Sequence, residues 1–135
     1  MNLYEPNSDD FKEMAILANY LAVRTGLAIN DEYTIPDIFG WMTPMELLFL
    51  YQQAKKMESV VEIGCWKGRS THAIASACKG TVYALDHWLG SKNDLSLELA
   101  KEEDVYSVFT KNTKQFKNIT VMRGDASDSV LKFED

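Results

Sequence analysis

Cysteine is nearly absent. Cys65 and Cys78 are the only two in 135 residues, too few for a disulfide framework. Histidine is as scarce, with His72 and His87 alone, and no cluster of His, Cys and acidic residues stands at metal-ligand spacing. No run of about 18 apolar residues occurs, so no transmembrane helix is expected. The opening residues, Met1-Asn2-Leu3-Tyr4-Glu5-Pro6, carry neither a basic stretch nor an apolar core and do not read as a signal peptide. Positive charge is in deficit: 14 Lys and Arg against 20 Asp and Glu leave a net charge of −6. The cations are scattered rather than gathered, and a phosphate backbone is repelled by such a surface. Nucleic acid and membrane partners are therefore not expected, whereas a small molecule or a protein is. Apolar residues at 46% and charged residues at 25% fit a soluble globular domain, with the cytoplasm as the expected setting.

Punctuation along the chain divides it into an N-terminal helical extension, 1–58, and an alternating segment, 59–135. Ser8 opens a helix carrying Phe11, Met14 and Leu21 at helical spacing, and Gly26 ends it. Residues 27–41 hold no period and read as loop. Thr43-Pro44-Met45-Glu46 is a capping box with proline at the first helical position, which predicts a second helix running to about Met57. Three rounds of strand and helix follow. Ser59 to Ile63 is a short apolar run closed by Gly64, and a helix runs from near Gly68 to Cys78. Thr81 to Asp86 is the second strand. A long amphipathic helix comes next, with Leu95, Leu99, Tyr106, Phe109 and Phe116 on its stripe, and Glu98, Glu102, Glu103 and Asp104 on its solvated face. Ile119 to Arg123 is the third strand, followed by a short helix from about Ser127. Alternation of this kind predicts an α/β fold, a Rossmann-like doubly wound parallel sheet.

The chemistry gathers at the strand ends. Gly64 lets the chain turn sharply and lets a ligand approach the backbone, and Gly68 stands just before the helix. Asp86 ends the neighbouring strand about 20 residues later, where a carboxylate can accept hydrogen bonds from a ribose diol. Gly124-Asp125-Ala126 brings another acid to the third strand end. Glycine turns alone are weak signals, and a lone exposed aspartate is ordinary. Three adjacent strand ends with this content make a nucleoside crevice the better reading.

Residues 59–127 resemble a class I S-adenosylmethionine-dependent methyltransferase. The stretches Val61-Glu62-Ile63-Gly64 and Gly68-Arg69-Ser70-Thr71 are similar to the family often labelled methyltransferase 24. The resemblance implies S-adenosylmethionine as cofactor and assigns positions one by one. Glu62 and Gly64 match the acid and first glycine of the first motif, beside the methionine part, and Gly68 matches its last glycine. Asp86 matches the acid on the ribose hydroxyls, with His87 beside the adenine. Asp125 matches the acid receiving the adenine amino group, and Ala126 follows with its N–H. Cys65 and Trp66 lie in the same loop and complete the candidate cofactor-binding set. No catalytic residue is assigned, and no metal.

The sequence departs from the family in two places. Trp66 stands where many members have glycine, and the indole either covers the cofactor or packs, with packing favoured. Only three strands are present where the family has seven, so the domain reads as truncated, and the first strand should show an unpaired apolar edge that invites a second copy. The expected function is methyl transfer from S-adenosylmethionine to a small-molecule acceptor, at oxygen. A NAD(P)-binding oxidoreductase domain is the alternative, although G-x-G-x-x-G fails at Trp66 and Arg69. A non-catalytic binding or interaction fragment is another. Lesser residues have plainer readings: His72 as a hydrogen-bonded helix histidine and Cys65 as a loop spacer rather than a reactive thiol. Trp41 and Met42 either overlie the cofactor or staple the second helix, and Trp88 either stacks on a base or plugs a loop.

Overall fold

Thr43 starts the first described helix for the reason its sequence suggests. Its hydroxyl accepts from the Glu46 N–H at 3.3 Å, and Glu46 Oε2 accepts from the Thr43 N–H at 2.7 Å, a reciprocal box that satisfies two otherwise orphaned donors. That helix, α1, spans Pro44–Ala54. The computed structural model describes residues 33–133, so the predicted helix opened by Ser8 lies outside the described residues. The order continues as β1 (Ser59–Ile63), α2 (Arg69–Ala77), β2 (Thr81–Asp86), α3 (Leu95–Glu102), α4 (Val105–Thr113), β3 (Ile119–Arg123) and α5 (Ala126–Val130). A short 3₁₀ turn, Leu131–Phe133, closes the described chain.

The strands form an open parallel sheet in the order β1-β2-β3, with Ser59 opposite Thr81 and Val82 opposite Ile119. This is the predicted Rossmann-like α/β architecture. On one face Val60, Val82 and Ile119 meet Ala54 of α1, Ile74 of α2 and Phe116. Closer to the strand ends Ala84 packs with Cys65, Trp88, Val105 and Phe109. Tyr33, Ile35, Leu47, Tyr51 and Ala73 make a further cluster joining α1 to α2. Met42, the residue before the cap, packs against that cluster, which includes Leu47 of the first turn. On the other face Tyr83 meets Phe133 edge-on at 5.0 Å. β1 lies at the sheet edge, and Val61 and Ile63 are 48% and 61% exposed.

The long helix predicted after Asp94 is two helices instead. Glu103 adopts an extended conformation, and Asp104 accepts from the Ser107 N–H at 3.1 Å to cap α4. A short acid that satisfies free N–H groups from outside the helix competes with continuing it. Glu103 is then free to pair with the buried Lys67 ammonium, so it is an anchor to the first loop and not part of a continuous solvated helix face. Among the described residues no helix is long and apolar enough to cross a membrane.

Candidate functional site

The three strand ends are stitched together through Asp86. Its Oδ2 accepts from the Trp66 N–H at 2.8 Å and its Oδ1 from the Trp88 N–H at 2.7 Å. The Trp88 indole N–H donates to the Trp66 carbonyl at 2.8 Å, which ties the two loops a second time. The Gly64 N–H donates to the Leu85 carbonyl at 2.9 Å and the Gly124 N–H to the Asp86 carbonyl at 3.0 Å. Each carboxylate oxygen accepts one N–H and keeps further acceptor capacity. Trp88 is buried against Tyr106 and Phe109, each at 4.9 Å, so it plugs its loop rather than facing a ligand.

These ends line a cavity of about 560 Å³, a size suited to a small ligand. Of the candidate residues, Gly64, Trp66, Asp86, His87, Asp125 and Ala126 face it, together with Trp41, Ile63 and Gly90. Gly64 has φ +83°, and a Cβ built on it would meet nothing within 4 Å. The backbone there is bare towards the cleft. His87 Nδ1 accepts from the Leu89 N–H at 3.0 Å, which leaves Nε2 as the ring's donor. Asp125 stands at the start of α5 without capping it through its side chain. A smaller space of about 160 Å³ adjoins the turn, lined by Gly40, Met42, Cys65, Arg69 and Ser70, and shares Trp41, Gly64 and Trp66 with the larger one.

Three candidates have other surroundings. Glu62 points into the α2 side, where Oε1 accepts from the Ser70 hydroxyl and Oε2 from the Thr71 hydroxyl, both at 2.5 Å. Burial raises its pKa above the ordinary value, and the two hydroxyls only partly offset that. Gly68 has φ +90°, and a Cβ there would sit 2.9 Å from Thr113 Cγ2 and 3.2 Å from Phe109. Its glycine is required by helix packing. Cys65 lines the smaller space yet is almost wholly buried, and burial, with the Glu62 and Asp86 charges, pushes its thiol far up. An anionic thiolate is disfavoured there despite the adjacent helix start.

One residue that matters to the site is Arg69. Its Nε donates to the Met42 carbonyl at 2.9 Å, and its Nη1 donates to those of Ile38 at 2.9 Å and Pro36 at 3.3 Å. The buried guanidinium thus folds residues 36–42 over the turn and brings Trp41 to the cleft. Asn112 supports the same turn by donating to the Lys67 carbonyl at 2.8 Å. His72 is half-buried, shares a hydrogen bond of 3.4 Å with the Tyr33 hydroxyl and meets the Phe116 ring edge-on at 4.9 Å. Among the described residues no three His, Cys, Asp or Glu side chains gather where they could hold a metal ion.

Solved structures share the fold. An O-methyltransferase from Bacillus cereus, in complex with SAH, matches at TM-score 0.53 and 17% identity over 90% of this chain and 56% of its own. An SAH-bound methyltransferase from Podospora anserina matches at 0.53 and 13% identity, over 100% and 58%. A precorrin 8W decarboxylase from Methanobacterium thermoautotrophicum matches at 0.51 and 22% identity, over 78% and 52%. The fold is the Rossmann-like methyltransferase fold. The chain spans a little over half the length of these methyltransferase-fold structures. No family model and no curated protein matches it.

Proposed function

We propose that this chain binds S-adenosylmethionine and that the protein containing it transfers the methyl group to the oxygen of a small-molecule acceptor. One observation carries the reading: a carboxylate fixed by two backbone N–H groups faces a ligand-sized cleft beside a bare glycine turn. An acceptor held this rigidly can take two ribose hydroxyls without reorganising. Two structural neighbours are bound to S-adenosylhomocysteine (SAH), which supports the same ligand class here.

The residues fit the cofactor in size and in chemistry. Asp86 would hold the ribose hydroxyls, while His87, Asp125 and the Ala126 N–H would border the adenine. Gly64 and Trp66 would border the methionine part. Glu62 acts at one remove, fixing the start of α2 through Ser70 and Thr71. The bound cofactor supplies an activated methyl on a sulfonium. The chain's own contribution is to hold that group in one orientation, which is where positioning lowers the barrier. The finer likeness to the methyltransferase 24 family belongs to the same proposal.

A dinucleotide-binding oxidoreductase would need a bare turn at position 66, where this chain has Trp66, whose side chain packs against the cluster of Cys65, Ala84 and Phe109 as favoured. Calorimetric titration of SAH and of NADH into the 135-residue chain tests the reading. Saturable SAH binding, absent for NADH and weakened in Asp86→Ala, is the expected result. Binding of NADH instead, or of neither ligand by a protein shown to be folded, would overturn it. Incubation with methyl-labelled S-adenosylmethionine and hydroxyl acceptors then separates an enzyme from an inert binding module, because only an enzyme moves the label.

A further inference from the structure

The two cavities meet at a pair of indoles. Trp41, Gly64 and Trp66 are common to both, while Asp86 faces only the larger and Ser70 only the smaller. A ligand with its nucleoside on Asp86 and its tail in the smaller space therefore runs past Gly64, Trp41 and Trp66. In S-adenosylmethionine the atom joining those two parts is the sulfonium, which carries a full positive charge. In the spent product the same atom is a neutral thioether.

We infer that Trp41 and Trp66 form an aromatic wall that holds the charged sulfonium in preference to the neutral thioether. The inference rests on the cofactor reading above and goes further, to how the site tells donor from product. The ring centroids lie 5.5 Å apart at 51°, so the two indoles touch in a tilted pair and form one continuous aromatic surface. Phe39 braces Trp41 edge-on at 5.7 Å, and Arg69 fixes the backbone on either side of it through Ile38 and Met42. Trp41 is 47% exposed, so part of its ring remains open to a ligand. The same cluster already holds one cation. Lys67 Nζ lies 5.1 Å from the Phe39 centroid and 6.0 Å from that of Trp66, and Glu103 answers its charge. An indole face attracts a cation through its quadrupole, and a neutral sulfur gains only ordinary contact.

The test is a pair of calorimetric titrations, S-adenosylmethionine and SAH, into wild type, Trp41→Phe and Trp41→Leu. Trp41 is a surface ring, so Leu leaves the core untouched. The expected result is a loss of S-adenosylmethionine affinity of roughly three- to thirtyfold in Trp41→Leu, with SAH affinity changed less than about twofold and Trp41→Phe in between. Equal losses for both ligands would overturn the inference and leave Trp41 as an apolar wall. Unchanged affinity for both would overturn it too. In either case wild-type binding survives, which separates this failure from that of the cofactor reading, where wild type binds neither ligand.

Discussion

Asp86 holds the fold and faces the cleft at once, and the two roles can be separated by measurement. Its carboxylate accepts the Trp66 and Trp88 N–H groups at 2.8 and 2.7 Å, with its side chain 12% exposed. In Asp86→Asn one oxygen remains, and the amide nitrogen must confront a backbone N–H, donor against donor. One charge-assisted bond is lost and a backbone donor is left without its partner, which costs about 1.5–3 kcal/mol. With a urea slope of roughly 1.5 kcal/mol/M for a domain of this size, the unfolding midpoint should fall by about 1–2 M. Affinity for SAH should fall as well, by about ten- to a hundredfold if a charged acceptor on the ribose is lost. Urea melts followed by fluorescence, and calorimetry well below the variant's midpoint, read the two effects independently. A midpoint within about 0.3 M of wild type would refute the argument that Asp86 ties the two loops, whatever happened to binding.

The two glycines of the turn should respond differently. Gly68→Ala meets Thr113 and Phe109 with φ at +90°, so strain and overpacking together should cost about 2–4 kcal/mol in a urea melt. Gly64→Ala meets nothing and should cost only the left-handed penalty, about 1–2 kcal/mol, yet abolish SAH binding by filling the cleft. Arg69→Lys cannot span the carbonyls of Pro36, Ile38 and Met42. It should lose about 2 kcal/mol and speed amide exchange across 36–42, whereas unchanged exchange there would show that the loop holds itself. Burial keeps the His72 pKa below its ordinary 6.5, so the unfolded chain takes that proton first. Its contribution to stability is therefore full above about pH 6.5 and is lost as pH falls through the depressed value. Between pH 7.5 and 5.5 wild type should lose more stability than His72→Gln, measured by urea midpoint. The comparison cancels Glu62, whose raised pKa works in the other direction.

What the sequence made legible is what is encoded locally. The strands at 59–63, 81–86 and 119–123 show as apolar runs ended by turn residues, and Thr43 with Glu46 marks a helix start in four residues. The split between α3 and α4 was missed because Leu95, Leu99, Tyr106 and Phe109 keep one helical phase across the break. A signal was present: Asp104 three residues before Ser107 is a helix start of the same kind as Thr43 before Glu46. Gly68 reads as a ligand glycine from its place in a motif. The ring and methyl that require it to be glycine come from Phe109 and Thr113, some forty residues on.

Arg69 shows why the remainder was not readable. In sequence it is one more cation just inside a helix, and three of its acceptors are backbone carbonyls 27 to 33 residues earlier. A carbonyl has no residue identity, so no pattern of side chains announces such a tether. Its consequence is functional, because the segment it binds carries Trp41 to the place where the two cavities meet. Residues 33–42 contribute no helix or strand, and a reading by element passes over them as loop. The cleft is nonetheless closed on that side by this loop, held down by one guanidinium and braced by Phe39. The Asp86 end of the cleft thus follows from strand ends that the sequence displays. The end that would distinguish one ligand from another follows from a long-range contact between a buried cation and backbone, which becomes visible only once the chain is folded.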